Sequence, residues 1–309
     1  MAANDTSIDA RDWSLLGLLS ILWGGSFFFN GVILKELPPL TVVFLRVTLA
    51  ALFLLPLLRL YKVRFPDSLS GWAPYVAIGL FNNVLPFSLV VMGQTYVPSG
   101  LASILNATTP LFTVVVMAVA GEEKLHVRRI AGVVAGLIGV IILQGGAFGW
   151  ESEQGLGILL CLAAAFSYGL SALLARRFLS NSPPLGTATF QLLASAAMMT
   201  VVAGLVERPW QLPMPGATTW LAVIGLAALS TAFAYIVFFQ ILRRSGATNV
   251  MLVTLLIPVT AILLGVLVLG EKISAREIAG ALVIGSALLV IDGRVLKLFQ
   301  RRRSFRSLR

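Results

Sequence analysis

Apolar runs of about twenty residues, the length needed to cross a bilayer core as helix, follow one another along almost the whole chain, separated by short polar connections. The runs fall at 13–33, 40–60, 72–95, 97–120, 128–147, 154–178, 185–206, 217–242, 246–270 and 276–293. Their links carry turn chemistry: Pro38-Pro39, Pro66-Asp67, Pro183-Pro184, and Pro209 to Gly216. The boundary drawn least sharply is Tyr96-Val97-Pro98, between the third and fourth runs. Residues 1–12 hold Asp5, Asp9 and Asp12 against Arg11, a poor signal-peptide n-region, so the first run reads as an uncleaved span. The pattern predicts an all-α membrane protein with ten transmembrane helices.

Displacing the chain on itself by 148 residues brings Pro110 onto Pro258, Glu123 onto Glu271 and Lys124 onto Lys272. The same displacement aligns Ile130-Ala131-Gly132 with Ile278-Ala279-Gly280. A displacement of 145 aligns Pro38-Pro39-Leu40 with Pro183-Pro184-Leu185, and with them Trp23 with Tyr168, Gly24 with Gly169, Ser26 with Ser171 and Arg46 with Gln191. Prolines, charges and glycines matching without gaps mark two copies of one unit, at 13–147 and 154–293. Five helices per copy is an odd number, so the second copy enters the membrane from the opposite side. The expected architecture is two inverted five-helix repeats, with a binding site near the midplane between them.

Composition agrees with a lipid environment. Of 309 residues, 58% are hydrophobic and 12% charged, and mean hydropathy is +0.93. The net charge of +10 could point to a polyanion, but its placement does not. With the N-terminus inside, the cytoplasmic segments hold 18 Lys and Arg and the outer loops 4. That asymmetry is the positive-inside signature, places both termini in the cytoplasm and makes 294–309 a basic cytoplasmic tail. Nucleic acid is not an expected partner; the lipid bilayer is. Cys161 stands alone, which excludes an intrachain disulfide and a thiol metal cluster. The single histidine, His126, lies in a charged loop, and the chain has no phosphate-cradling glycine loop. An enzyme, a metal site, another cofactor and an ATP-driven pump are all unsupported.

Polar side chains inside the runs need protein or water around them. Asn83, Phe87, Val90 and Gln94 share a helical face in the third run; Ser99, Ser103, Asn106 and Pro110 do so in the fourth. In the second copy Thr231, Tyr235, Phe238 and Leu242 align in the eighth run, and Asn249, Thr254 and Pro258 mark the ninth. Polarity thus gathers in equivalent helices of both copies. The candidate substrate-binding wall is Trp23, Phe27, Asn82, Asn83, Ser99, Asn106, Tyr168, Tyr235, Phe239 and Asn249. Its aromatic members suit an apolar side chain, its amides and hydroxyls the charged ends of a zwitterion. Interhelical hydrogen bonding is the ordinary alternative for each residue taken alone. Arg46, the one ionisable residue deep in a run, reads as a structural group that snorkels outward or pairs with a loop carboxylate such as Glu36. Glu122, Glu123 and Glu271 read as solvated helix caps, and Gly132 and Gly136 as close packing or a dimer face.

With these residues in place, the chain resembles the drug/metabolite transporter superfamily in its ten-helix form with two EamA-type units. The resemblance rests on Trp23-Gly24, on Pro39 ahead of Arg46, and on Pro110 followed by Gly121-Glu122-Glu123-Lys124. The second copy repeats it with Pro258 followed by Gly270-Glu271-Lys272. It covers roughly residues 13–293, and among the branches it is most similar to the YddG-like exporters of aromatic and other amino acids. What the resemblance implies is a secondary transporter in a bacterial inner membrane, exporting small metabolites by alternating access. Amino acids with bulky or aromatic neutral side chains are the favoured cargo, and one chain forms a complete pathway. Drugs, nucleosides or vitamins as cargo, and a passive channel, stand as alternatives. No carboxylate lies in the first or sixth run, so the sequence offers no group for obligatory proton exchange.

Overall fold

The computed structural model describes residues 9–123, 126–144, 153–180, 182–250 and 252–292. The tail at 294–309, Lys124 and the acidic N-terminal residues before Asp9 lie outside the described residues. Within them the fold is all-helical. Seven helices are long and apolar enough to cross a membrane: α1 (Ala10–Ile33), α2 (Pro39–Leu60), α3 (Leu69–Gly93), α4 (Ser99–Val119), α6 (Glu153–Phe178), α7 (Pro184–Val206) and α8 (Ala217–Gly246). Shorter helices α5 (Val127–Gln144), α9 (Val253–Leu269) and α10 (Ala275–Asp292) complete the bundle. Large apolar side chains face outward on these helices, among them Leu205 at 74% and Leu267 at 78% exposure, as only a lipid surrounding tolerates. This is a multi-pass membrane protein.

Local chemistry sets the helix ends. Asp9 accepts the amide N–H of Asp12 and starts α1, Ser68 accepts that of Gly71 before α3, and Ser274 and Glu277 form a reciprocal capping box on α10. Proline opens α2 and α7, where its missing N–H costs nothing. Gly270 closes α9 at φ +70°, in the left-handed region that glycine reaches freely.

Three helices depart from regular α geometry. In α3 the segment Leu80–Val84 is π-helical, and in α8 so is Ala228–Phe233. The third break lies in α4, where two turn residues, Ala107 and Thr108, stand ahead of Pro110. Proline cannot donate to the carbonyl of Asn106 four residues back, and the hydroxyl of Thr109 donates there instead, at 2.7 Å. Pro86 leaves a similar gap in α3, and Ser167 of α6 donates to the carbonyl of Phe81 at 2.8 Å. The freed carbonyls are re-satisfied by side chains, as membrane depth requires.

Glycines set the closest crossings. Gly139 of α5 meets Gly280 of α10 backbone to backbone, and Gly132 packs on Ala287 and Ile291 of the same partner. Gly136 faces Leu111, so the small-residue stripe of α5 is spent inside the chain. Gly24 of α1 packs on Thr260 and Ala261 of α9, while Gly169 of α6 packs on Phe112 and Thr113 of α4. Beyond α4, Glu122 and Glu123 are not free caps. Glu122 pairs with Arg177, and Glu123 pairs with Arg129 and Arg176. The hydrogen bond from Arg177 holds the Glu122 carboxyl below the usual carboxylate range.

Candidate functional site

The π turns concentrate polar groups. One extra residue per turn rotates the helix and leaves carbonyls in search of donors. In α8 the hydroxyl of Thr231 donates five residues back to Leu226, at 2.8 Å. In α3 the turn presents Asn82 and Asn83 side by side. Asn82 donates to Gln191 of α7 and to the Tyr235 hydroxyl of α8, each at 3.1 Å. Asn83, fully buried, donates to Ser195 at 3.0 Å and accepts from Tyr235 at 3.1 Å. Ser195 in turn donates to the carbonyl of Gln191. Helices α3, α7 and α8 are thereby tied at one point, with Tyr235 as the common partner.

Arg46 of α2 sits beside this knot, 6% exposed. Its Nε donates to Thr231 at 2.9 Å, and its guanidinium carbon stands 3.7 Å from the centroid of the Phe87 ring, a cation–π contact. Tyr168 and Tyr235 lie within electrostatic reach. No carboxylate among the described residues pairs with it. Glu36, the expected partner, instead accepts the amide N–H of Gly216 at 2.6 Å. Arg46 neither snorkels nor pairs with Glu36, because its stem is committed inward to Thr231 and Phe87.

A cavity of about 670 Å³ reaches this region from one end of the bundle. Tyr61, Pro183, Arg243 and Arg244 lie along it, and Leu54, Leu57, Ala188, Ile236 and Phe239 make it mostly apolar, with Tyr235 among its lining residues. Aromatic contacts continue from it: Tyr235 stacks on Phe239 at 6.2 Å, Phe239 meets Phe238 at 5.2 Å, and Phe238 meets Trp23 at 5.5 Å.

At the opposite end, carboxylates on helix N-termini tie the helices to one another. Glu207 accepts from the amides of Leu40 and Thr41 at 2.9 and 2.6 Å. Glu271 accepts from those of Ser99 and Gly100 at 2.9 and 3.3 Å. With Glu36 on Gly216, each of these contacts joins two helices, and each sets an anion against the positive end of a helix.

The expected wall residues therefore divide. Asn82, Asn83, Tyr235 and Phe239 come together at the knot and cavity, Tyr168 stands beside Arg46, and Trp23 joins through the aromatic run. Phe27 and Ser99 sit elsewhere: the Ser99 hydroxyl and Gln94 both donate to the Phe27 carbonyl, next to Glu271 and Asn30. Asn106 lies at the break in α4, its buried side-chain amide oxygen Oδ1 without a partner among the described residues. Asn249 donates to the carbonyl of Ser245, beyond the left-handed turn at Gly246. Gln191, Ser195 and the inward commitment of Arg46 stand outside the wall expected from sequence. Gln191 was visible as the counterpart of Arg46, and Ser195 follows it by one helical turn.

Comparison with known proteins bears on this arrangement. The model of the EamA-like transporter family matches residues 12–144 and again 155–291. An uncharacterized transporter of Bacillus subtilis, YoaV, is 27% identical over 277 residues, 87% of this chain and 93% of its own length. A probable amino-acid metabolite efflux pump of Salmonella typhimurium is 27% identical over 292 residues, 91% and 94% of the two chains. A solved crystal structure with 22% sequence identity shares the fold, at a TM-score of 0.64 over 92% of this chain and 98% of that one. The family and the relatives from Bacillus subtilis and Salmonella typhimurium carry transporter names, and this chain belongs to the EamA-like transporter family.

Proposed function

We propose that the protein is a secondary transporter that exports small metabolites, amino acids with bulky or aromatic neutral side chains above all, by alternating access. The observation that carries this reading is the pairing of an open cavity with a closed opposite end. The cavity of about 670 Å³ reaches the Tyr235 knot from one side, while Glu36, Glu207 and Glu271 clamp helix N-termini on the other. A carrier caught facing one way has this form; an open pore does not. The apolar and aromatic lining suits a hydrophobic side chain, and the efflux-pump relative supports amino acids as the class.

The architecture proposed with it is ten spans in two inverted five-helix repeats, both termini in the cytoplasm of a bacterial inner membrane. The loop charges support that orientation, which makes the open end cytoplasmic. The repeat gains support from matched crossings, since α1 meets α9 at Gly24 as α6 meets α4 at Gly169. The π turns in α3 and α8 also stand 148 residues apart. The proposed binding wall combines Trp23, Asn82, Asn83, Tyr168, Tyr235 and Phe239. Its substrate is a zwitterionic small molecule, and a monomer suffices for the pathway.

The test is counterflow in proteoliposomes with radiolabelled amino acids set against nucleosides, vitamins and a cationic dye. Saturable exchange of phenylalanine or leucine is the expected result. Exchange confined to one of the other classes would replace the cargo, and non-saturating flux of all of them would replace the carrier by a channel.

A further inference from the structure

A guanidinium buried in a membrane protein without an anion is an incomplete arrangement. Arginine keeps its charge in proteins, and removing that charge from water costs several kcal/mol unless something answers it. Around Arg46 the answer is partial. Thr231 takes Nε and the Phe87 ring covers one face, but the two terminal nitrogens have no hydrogen-bond partner among the described residues.

The acidic side chains are committed elsewhere. Asp9 and Asp12 hold Arg244, Glu122 and Glu123 hold Arg129, Arg176 and Arg177, and Glu277 caps its own helix. Glu36, Glu207 and Glu271 bind helix N-termini at the closed end. Asp67 and Glu153 are exposed at helix starts. The protein therefore supplies Arg46 with no carboxylate among its described residues.

The position favours a carboxylate from outside. Arg46 is held through Thr231, which lies one helical turn from Tyr235, and Tyr235 lines the cavity. The planar fork of the guanidinium matches a carboxylate in bidentate fashion. Phe87 and Thr231 fix its plane, so little freedom is lost on binding. We infer that Arg46 is the anchor for the carboxylate of the transported molecule, with Phe87 and Thr231 as the residues that aim it. This rests on the carrier reading above and narrows its substrate class to molecules bearing a carboxylate near an apolar body.

Two measurements on the full-length protein test the assignment. In detergent, 3-phenylpropionate should raise the melting temperature of the wild type and 3-phenylpropionamide should not, while Arg46→Gln should respond to neither. In proteoliposomes, phenylalanine should be taken up with an apparent affinity about a hundredfold above that of phenylalaninamide, the scale set by stranding one member of a buried charge pair. Arg46→Gln should abolish that preference, and Arg46→Lys should restore part of it. Arg46→Gln removes an unanswered charge, so its ligand-free melting temperature should equal or exceed that of the wild type; a purely structural arginine would lower it. Equal stabilisation by acid and amide, or equal uptake of phenylalanine and its amide, would overturn the anchor and leave the carrier standing. Transport of nucleosides alone, with no thermal response to 3-phenylpropionate, would overturn the anchor and the amino-acid reading together.

Discussion

Asn83 and Asn106 carry the same amide on neighbouring helices and hold opposite positions. Asn83 is bonded at both ends, to Ser195 and from Tyr235, with no exposed surface. Asn106 has a buried oxygen that nothing among the described residues satisfies. Hydrogen bonds between membrane helices average about 0.6 kcal/mol each. Asn83→Ala, which gives up two of them together with packing, should lose about 1–2 kcal/mol of stability, seen as an earlier thermal transition in detergent. Asn106→Ala should unfold within a degree or two of wild type. Equal losses at the two sites would mean that Asn106 has a partner this bonding pattern omits. From sequence the two looked alike, because a polar residue at helical spacing announces that it needs a partner and not which one. Arg46 makes the same point. Its place deep in an apolar run is legible in its neighbours, but its inward commitment and its lack of a carboxylate rest on distant contacts, among them Glu36 reaching Gly216, 180 positions away.

At the scale of elements, hydropathy located the helices well, and α1, α2, α6 and α7 lie close to the runs read from it. The ninth apolar run starts at 246, whereas the regular helix α9 begins at Val253. The left-handed Gly246 and the helical residues Asn249 and Val250 stand ahead of it. The π turns escaped notice for a physical reason. A single extra residue turns the following helix by about 100°, but in a helix apolar on every face that rotation leaves no trace in the hydropathy pattern. Crossings are governed by what sits opposite each glycine. A methyl group on Gly280 would stand 2.9 Å from the carbonyl oxygen of Gly139 and press on Leu143. Gly280→Ala should therefore cost about 1–3 kcal/mol through overpacking of α5 against α10, measured as a lowered midpoint in thermal or denaturant unfolding. Gly17, with no atom near its missing Cβ, should accept alanine without loss.

For the molecule as a whole, the proposed carrier cycle requires the clamped end to open. Glu271 holds the start of α4, and behind it Ser103 is wholly buried. Glu271→Gln leaves a neutral acceptor in place of a charged one, and bonds to a charged group contribute about 1.5–3 kcal/mol. The opened form should gain about tenfold in population for a loss near 1.4 kcal/mol. With Cys161 replaced by serine, Ser103→Cys should react slowly with an impermeant maleimide added outside cells, and several-fold faster when Glu271→Gln is added. Unchanged labelling would remove Glu271 from the clamp.

That clamp is built from side-chain carboxylates on one side and main-chain amides on the other, and this has a consequence for how the protein tolerates change. A main-chain N–H survives every substitution except proline, so drift at Leu40, Ser99, Gly100 or Gly216 leaves those donors intact, while at Thr41 only the hydroxyl bond to Glu207, at 2.8 Å, is exposed to loss. The mutational vulnerability of these contacts therefore falls mainly on Glu36, Glu207 and Glu271. The cavity on the far side is shaped mostly by apolar side chains, with Tyr235 and Arg244 held by bonds to Asn82, Asn83, Asp9 and Asp12 and the aliphatic lining free of such pairing. The lining can therefore diversify toward new cargo while the opposite end keeps its closure, a separation of what varies from what must persist.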